Sequence, residues 1–228
     1  MKTLAIDTSL PTGAVAALDG DRVAVRSLPT AGEHARLVAA AIEAVAAELG
    51  WRPADAGLVA VVTGPGSFTG LRVGVTTAKA VCWATGARLV GVSSYEVIAR
   101  ATAAAGGPTG TPVNVAFDAG RGEVHAAVVT PDGQSPSGWR AGTGGIRAAH
   151  DWLASLPAGS RVTGPGLAVV ADALPTRPDL VVAAWPAATH LVIELGRIAL
   201  LRAAAGEADD PAALVPDYIR PSYADEKR

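Results

Sequence analysis

The chain has one cysteine, Cys82. That excludes an internal disulfide and a thiolate metal cluster. Set among apolar neighbours in a helix-like run, Cys82 reads as a small core residue. Charge of either sign is in short supply, and nineteen Lys and Arg against twenty-one Asp and Glu leave a net charge of −2. A dedicated nucleic-acid binder carries a basic stripe, and none is visible here. Lysine is scarce beside arginine, three against sixteen, a bias that fits a GC-rich coding sequence rather than a function. No apolar run reaches the roughly 18 residues of a membrane span. Asp7 interrupts the first apolar run, so no signal peptide is expected at the start. The expectation is a soluble cytoplasmic protein without membrane contact. Half of the 228 residues are hydrophobic, enough for a full core in one large domain or two of roughly 110 residues.

What is present is an alternation of strands and helices. Residues 3–8 read as a buried strand ending in an acid, followed by strands at Gly13–Leu18 and Arg22–Leu28 around an Asp19-Gly20 hairpin turn. Residues 33–49 form a helix closed by Gly50, with Leu37, Val38, Ala41, Ile42, Val45 and Leu49 as its apolar arc. Its back carries Ala39, Ala40, Ala44, Ala46 and Ala47 beside Glu33, Arg36 and Glu43. A helix apolar on one side and alanine-rich on the other is packable on both. A strand (57–63), a glycine turn, a helix (70–85) capped at Gly86 and a strand (88–92) follow, which indicates a parallel sheet. A helix near 94–105 leads to Gly106-Gly-Pro-Thr-Gly110, the expected boundary between lobes.

The second half repeats the opening. Val115-Ala-Phe-Asp118 matches Leu4-Ala-Ile-Asp7, and each is followed by a strand and a turn. A helix near 144–156, strands at 161–163 and 180–183, and a helix from His190 to Ala205 complete the reading. The predicted fold class is α/β in two lobes: 1–108, a shorter 109–205, and a tail, 206–228, packing back on the first lobe. The tail holds Tyr, Ile and Pro residues too apolar for free solvent.

The densest motif is Gly64-Pro-Gly-Ser-Phe-Thr-Gly70 between a strand and a helix. Such a junction suits anion binding or a tight protein contact. It lacks the Gly-Lys-Ser/Thr of a P-loop and is not the Gly-x-Ser-x-Gly of a hydrolase elbow around Ser67. Its glycines equally suit a sharp bend with close packing. Beyond it, Leu71, Gly74, Val75, Ala78, Val81 and Cys82 share one helical arc, while Arg72, Thr76, Lys79 and Trp83 cluster opposite. A tryptophan on the polar side of a helix is a typical interface anchor. Asp7 with Thr8 and Ser9, and Asp118 with Gly120, could mark a nucleotide cleft or cap turns at strand ends. His34, His125, His150 and His190 show no ligand spacing and read as surface or satisfied core histidines.

Six segments together resemble the actin-like ATPase superfamily and, more closely, the bacterial TsaB (YeaZ) family. They are Leu4-Ala-Ile-Asp-Thr-Ser9, Glu33-His34, Gly64 to Arg72, Gly91-Val-Ser93, Phe117-Asp-Ala-Gly-Arg-Gly-Glu-Val124 and Pro216-Asp-Tyr-Ile-Arg220. The resemblance implies two actin-like (ribonuclease-H-like) lobes, the second reduced. It also implies a role in making threonylcarbamoyladenosine next to the anticodon of tRNA, as the non-catalytic partner of TsaD, with TsaE as a further ATPase. It places the contact with TsaD, and a homodimer contact, on the two helices: Glu33, His34, Arg36, Ala40, Ala44, Phe68, Arg72, Thr76, Lys79 and Trp83. The catalytic relative carries two metal-binding histidines after a Gly-Val-Asn; Ser94 and Ile98 stand there in this chain. An Ile–Ser pair cannot replace two imidazoles, so neither a metal nor a catalytic residue is expected. No cofactor is expected on this chain alone, with ATP or ADP left to the complex and tRNA contacted indirectly. The competing reading is an independent enzyme, either an actin-like kinase or a glycoprotease-like metallopeptidase. The missing histidines speak against the peptidase, and the short second lobe against the kinase.

Overall fold

The structure, a computed structural model, describes residues 1–29, 32–106, 110–184 and 186–220. The expected lobe boundary at 106–110 lies largely outside these residues, as does the end of the tail, 221–228. The chain forms two compact units. One comprises Met1–Val97 with Ala187–Asp217, the other Ile98–Pro186 with the residues from Tyr218 on.

In the first unit, β1 (Thr3–Asp7), β2 (Gly13–Asp19) and β3 (Arg22–Leu28) form an antiparallel meander. Gly20, at φ 62°, makes the expected turn. After α1 (His34–Glu48), β4 (Leu58–Gly64) returns parallel to β1; after α2 (Phe68–Thr85), β5 (Arg88–Ser93) lies parallel to β4. The order across the sheet is β3-β2-β1-β4-β5. Strand alternation turns Leu4, Ile6, Val15, Val59 and Val61 toward one face, where they pack with Val38, Ile42 and Val45 of α1 and Val75, Ala78 and Cys82 of α2. Each Leu, Ile or Val among them contributes about 1.5–3 kcal/mol on burial, and this stripe fixes both helices on the sheet. Gly86 ends α2 in the left-handed region, its N–H on the Cys82 carbonyl at 2.8 Å, which is the expected cap.

The second unit begins within α3 (Ser94–Ala104). Its strands are β6 (Val113–Gly120), β7 (Glu123–Pro131), β8 (Trp139–Ala141), β9 (Gly145–Ala148), β10 (Arg161–Thr163) and β11 (Val181–Val182). The order is β8-β7-β6-β10-β11, with β9 also paired to β7. Antiparallel pairs again come first, and β10 and β11 are again parallel to the opening strand. Both units therefore run third-second-first-fourth-fifth, the actin-like lobe twice over. The second is the reduced copy. Its first helix, α4 (Ala149–Ser155), has 7 residues where α1 has 15. Short 3₁₀ turns at Pro165–Val170 and Leu174–Thr176 stand where the first unit has the 18-residue α2.

Three expectations change. The helix near 144–156 is two elements, because Gly145–Ala148 pairs with β7 before α4 begins. The strand at 180–183 is only Val181–Val182, both exposed at a sheet edge. The last helix, α5 (Ala188–Ala204), follows the second unit in sequence but packs on β1, β2, β4 and β5 of the first. It lies close there, since a Cβ on Gly196 would be 2.6 Å from Leu18 Cδ1. Residues 206–217 continue along the same unit. Asp209 bridges to Leu89 at the edge of β5 and accepts the Gly91 N–H at 2.7 Å, which covers an otherwise open strand edge. Arg220 belongs to the second unit, where its side chain reaches the Ala119 carbonyl and pairs with Glu123.

Candidate functional site

The glycine turn faces inward. Ser67 caps α2, its Oγ accepting the Gly70 N–H at 3.3 Å, while its own N–H goes to the Ser9 carbonyl at 2.7 Å. Thr8 donates its hydroxyl to the Gly70 carbonyl at 2.7 Å. A Cβ would stand 2.7 Å from the Ser9 carbonyl oxygen at Gly66 and 2.0 Å from the Thr8 carbonyl oxygen at Gly70. At Gly64, φ 130°, it would meet the Asp217 carbonyl oxygen at 2.2 Å. These glycines are needed because three backbone segments meet without room for side chains. The motif serves close packing of helix, strand end and tail.

The two strand-ending acids sit in equivalent turns with different exposure. Asp7 is 4% exposed, and its Oδ1 accepts the Ser9 N–H at 2.9 Å and the Ser9 hydroxyl at 2.6 Å. Burial pushes its carboxyl above the usual range, against the hydrogen bonds from Ser9 and the charge of His34, which lower it. Asp118 is exposed, and its Oδ1 accepts the Gly120 N–H at 2.7 Å. Each acid therefore caps a turn two residues on, at the end of its unit's first strand. Thr8 and Ser9, buried beside Asp7, spend their hydroxyls within the chain.

The outer sides of α1 and α2 supply the surface that sequence periodicity picks out. Arg36, Ala40 and Ala44 are exposed on α1, as are Arg72, Thr76 and Trp83 on α2. Trp83 is 69% exposed, an unusual setting for so large an apolar side chain. Arg72, Thr76 and Trp83 stand on one side of the helix at spacings of four and seven residues. Phe68 is half-buried under the Arg72 guanidinium, 4.1 Å from ring centroid to Cζ. Glu33 pairs with Arg36 at 2.7 Å. Lys79 leans toward the tail, its Nζ 3.5 Å from the Ala212 carbonyl. Two residues depart from the expected face. Ala46 is in the core, because it packs with Val45 and Leu49 under the helix. His34 is 3% exposed and turned toward β2, its Cε1 3.3 Å from where a Gly13 Cβ would be. Its position in the first turn of α1 brings it over the sheet rather than into solvent.

Where the resemblance implies that a catalytic relative has metal-binding histidines, Ser94 is buried and donates to the Pro65 carbonyl at 2.6 Å, and Ile98 is buried. Cys82 is a core residue whose thiol is pushed up to about 11 by burial, so it is unreactive near neutral pH. Among the described residues no helix is long and apolar enough to cross a membrane.

Comparisons with known proteins fit this geometry. The family model "TsaD: tRNA N6-adenosine threonylcarbamoyltransferase" matches residues 29–135. A Bacillus subtilis protein named tRNA threonylcarbamoyladenosine biosynthesis protein TsaB is 33% identical over 129 residues, 56% of this chain and 55% of that protein. The Escherichia coli protein of the same name is 30% identical over 127 residues, 56% and 54%. The alignment thus spans about half the length of these named relatives. An uncharacterized protein of Mycobacterium tuberculosis is 34% identical over 230 residues, covering 95% of this chain and 90% of that one. The solved structure of YeaZ from Pseudomonas aeruginosa superposes with a TM-score of 0.78 at 23% identity, covering 95% of this chain and 99% of that one, and shares its fold. The duplicated sheet order, the glycine turn locked to the Asp7 turn and these matches agree: the chain belongs to one family with the Mycobacterium tuberculosis protein and is similar to TsaB proteins over about half their length.

Proposed function

We propose that this chain works in the making of threonylcarbamoyladenosine in tRNA, as a non-catalytic cytoplasmic subunit that binds and activates TsaD. The observation that carries the reading is the outer face of α1 and α2. It presents Ala40 and Ala44 where another helix could approach closely, and Trp83 and Arg72 as anchors of the kind that dominate protein interfaces. The family-model match spans α1 and α2, which fits a chain descended from the same fold as its partner and able to pair with it pseudo-symmetrically. The same face would serve a homodimer in the partner's absence, and TsaE would join the larger complex. The residues at the metal positions, Ser94 and Ile98, support leaving the chemistry to TsaD. We assign ATP or ADP to that complex rather than to this chain alone.

The test is reconstitution with threonylcarbamoyl-adenylate and tRNA. This chain alone is expected to give no modified tRNA, and its addition to TsaD and TsaE is expected to raise product formation. Product from the isolated chain would overturn the non-catalytic assignment. Unchanged product on its addition would overturn the activating one.

A further inference from the structure

His34 is the one feature of the helix pair that partner binding leaves unexplained. It is 3% exposed, and its Nε2 is buried with no hydrogen-bond partner among the described residues. Leaving a buried nitrogen without a hydrogen bond is destabilising, so something polar is expected to meet it. His34 lines a cavity of about 50 Å³ together with Ala35, Ser67, Thr69, Gly70 and Val73. One water needs about 10–15 Å³ measured this way, so the space suits a group of a few polar atoms. The walls come largely from the starts of two helices, with Leu10 and Gly32 beside them. Both helices place positive dipole ends and early N–H groups at the cavity. The start of α1 has no side-chain cap, and its Glu33 side chain is engaged with Arg36. Ser67 Oγ accepts from Gly70 N–H, which leaves its hydroxyl proton to donate. The charge of His34 reaches the Asp7 carboxyl, whose Oδ1 already accepts two hydrogen bonds from Ser9.

We propose that this cavity, between the first turns of α1 and α2, is a binding site for a small oxyanion of the phosphate class. His34 Nε2–H and the hydroxyls of Ser67 and Thr69 are its donors. The volume admits a phosphate-sized group. Occupation would bridge the starts of the two helices whose outer sides form the partner face. The site is distinct from the turn-capping role of Asp7 and does not depend on TsaD.

The test uses the full chain, inorganic phosphate as probe, and the His34 imidazole resonances with calorimetry as readouts. Saturable movement of those resonances is expected. His34→Gln is expected to weaken phosphate about tenfold or more, the loss typical of a hydrogen bond to a charged group. Ala35→Leu, which fills the cavity from its rim and keeps His34, should do the same without loss of melting temperature. A parallel titration with ATP separates the sources. Competition by ATP for the same resonances would identify a nucleotide's terminal phosphate, and its failure to compete would identify a free oxyanion. No saturable movement with either probe would show a cavity holding water alone and overturn the proposal. Binding that persists unchanged in both variants would place the anion elsewhere and overturn it equally.

Discussion

A methyl group on Gly70 would sit 2.0 Å from the Thr8 carbonyl oxygen. Helix propensity alone favours Gly→Ala inside a helix by about 1 kcal/mol. Here the sign should reverse, because the obstacle is backbone already held by the Thr8–Gly70 hydrogen bond. Gly70→Ala should lose about 2 kcal/mol or more, as overpacked sites do, read from urea denaturation; a stabilised variant would refute the close packing. Asp7 offers a second single-residue test. Burial raises its folded-state pKa above the ordinary 3.8, so the folded chain holds this proton more tightly than the unfolded one. The contribution of Asp7 to stability is then complete below that ordinary value and is lost as pH rises through the folded pKa. Asp7→Asn keeps an acceptor for Ser9 without the charge. Its melting temperature should exceed that of the parent at neutral pH, with a gain that shrinks on acidification toward pH 3.8. A difference independent of pH would assign Asp7 another role.

At the scale of the element, α1 and α2 each bury one side against the sheet and present another to solvent. Ala44→Asp places a charge where a partner helix would approach, and breaking such a dry contact costs several kcal/mol. Trp83→Ala removes an anchor commonly worth about 2 kcal/mol or more, roughly a 30-fold loss of affinity. Both positions are exposed, so melting temperatures should stay near that of the parent while TsaD binding falls. Wild-type binding in both variants would move the contact elsewhere. These helices were legible in the sequence because a repeat of 3.6 residues separates their two sides within the segment itself. His34 was not, since periodicity says nothing of how the first turn of α1 meets β2. The pair β8 and β9 escaped for a related reason. Each has four residues or fewer, too short for alternation to register, and each exists through pairing with β7.

For the whole molecule, the near-neutral charge of −2 bears on tRNA. Affinity for nucleic acid rests largely on neutralising phosphates with clustered Lys and Arg. Isolated chain is therefore expected to show no tight binding to labelled tRNA by anisotropy at physiological salt. A submicromolar complex that weakens steeply with salt would reveal a basic surface formed only in the fold. The duplication is also a whole-molecule property. Two sheets share one strand order, yet only the first retains long helices between its later strands.

The sequence by itself determined the α/β class, the repeat of strand, acid and hairpin, the main helices and their caps, and the glycine turn as a special junction. Those features rest on local chemistry: alternation, helical period, and residues that tolerate unusual backbone angles. Only the tertiary structure decided what the glycines pack against, because Thr8, Ser9 and Asp217 reach that turn from distant parts of the chain. It also decided that α5 joins the first unit despite following the second. Asp7 and Asp118, alike in sequence, became a buried acid and an exposed one. Burial is set by what the rest of the chain folds over a residue, and a strand-ending aspartate carries no local mark of that.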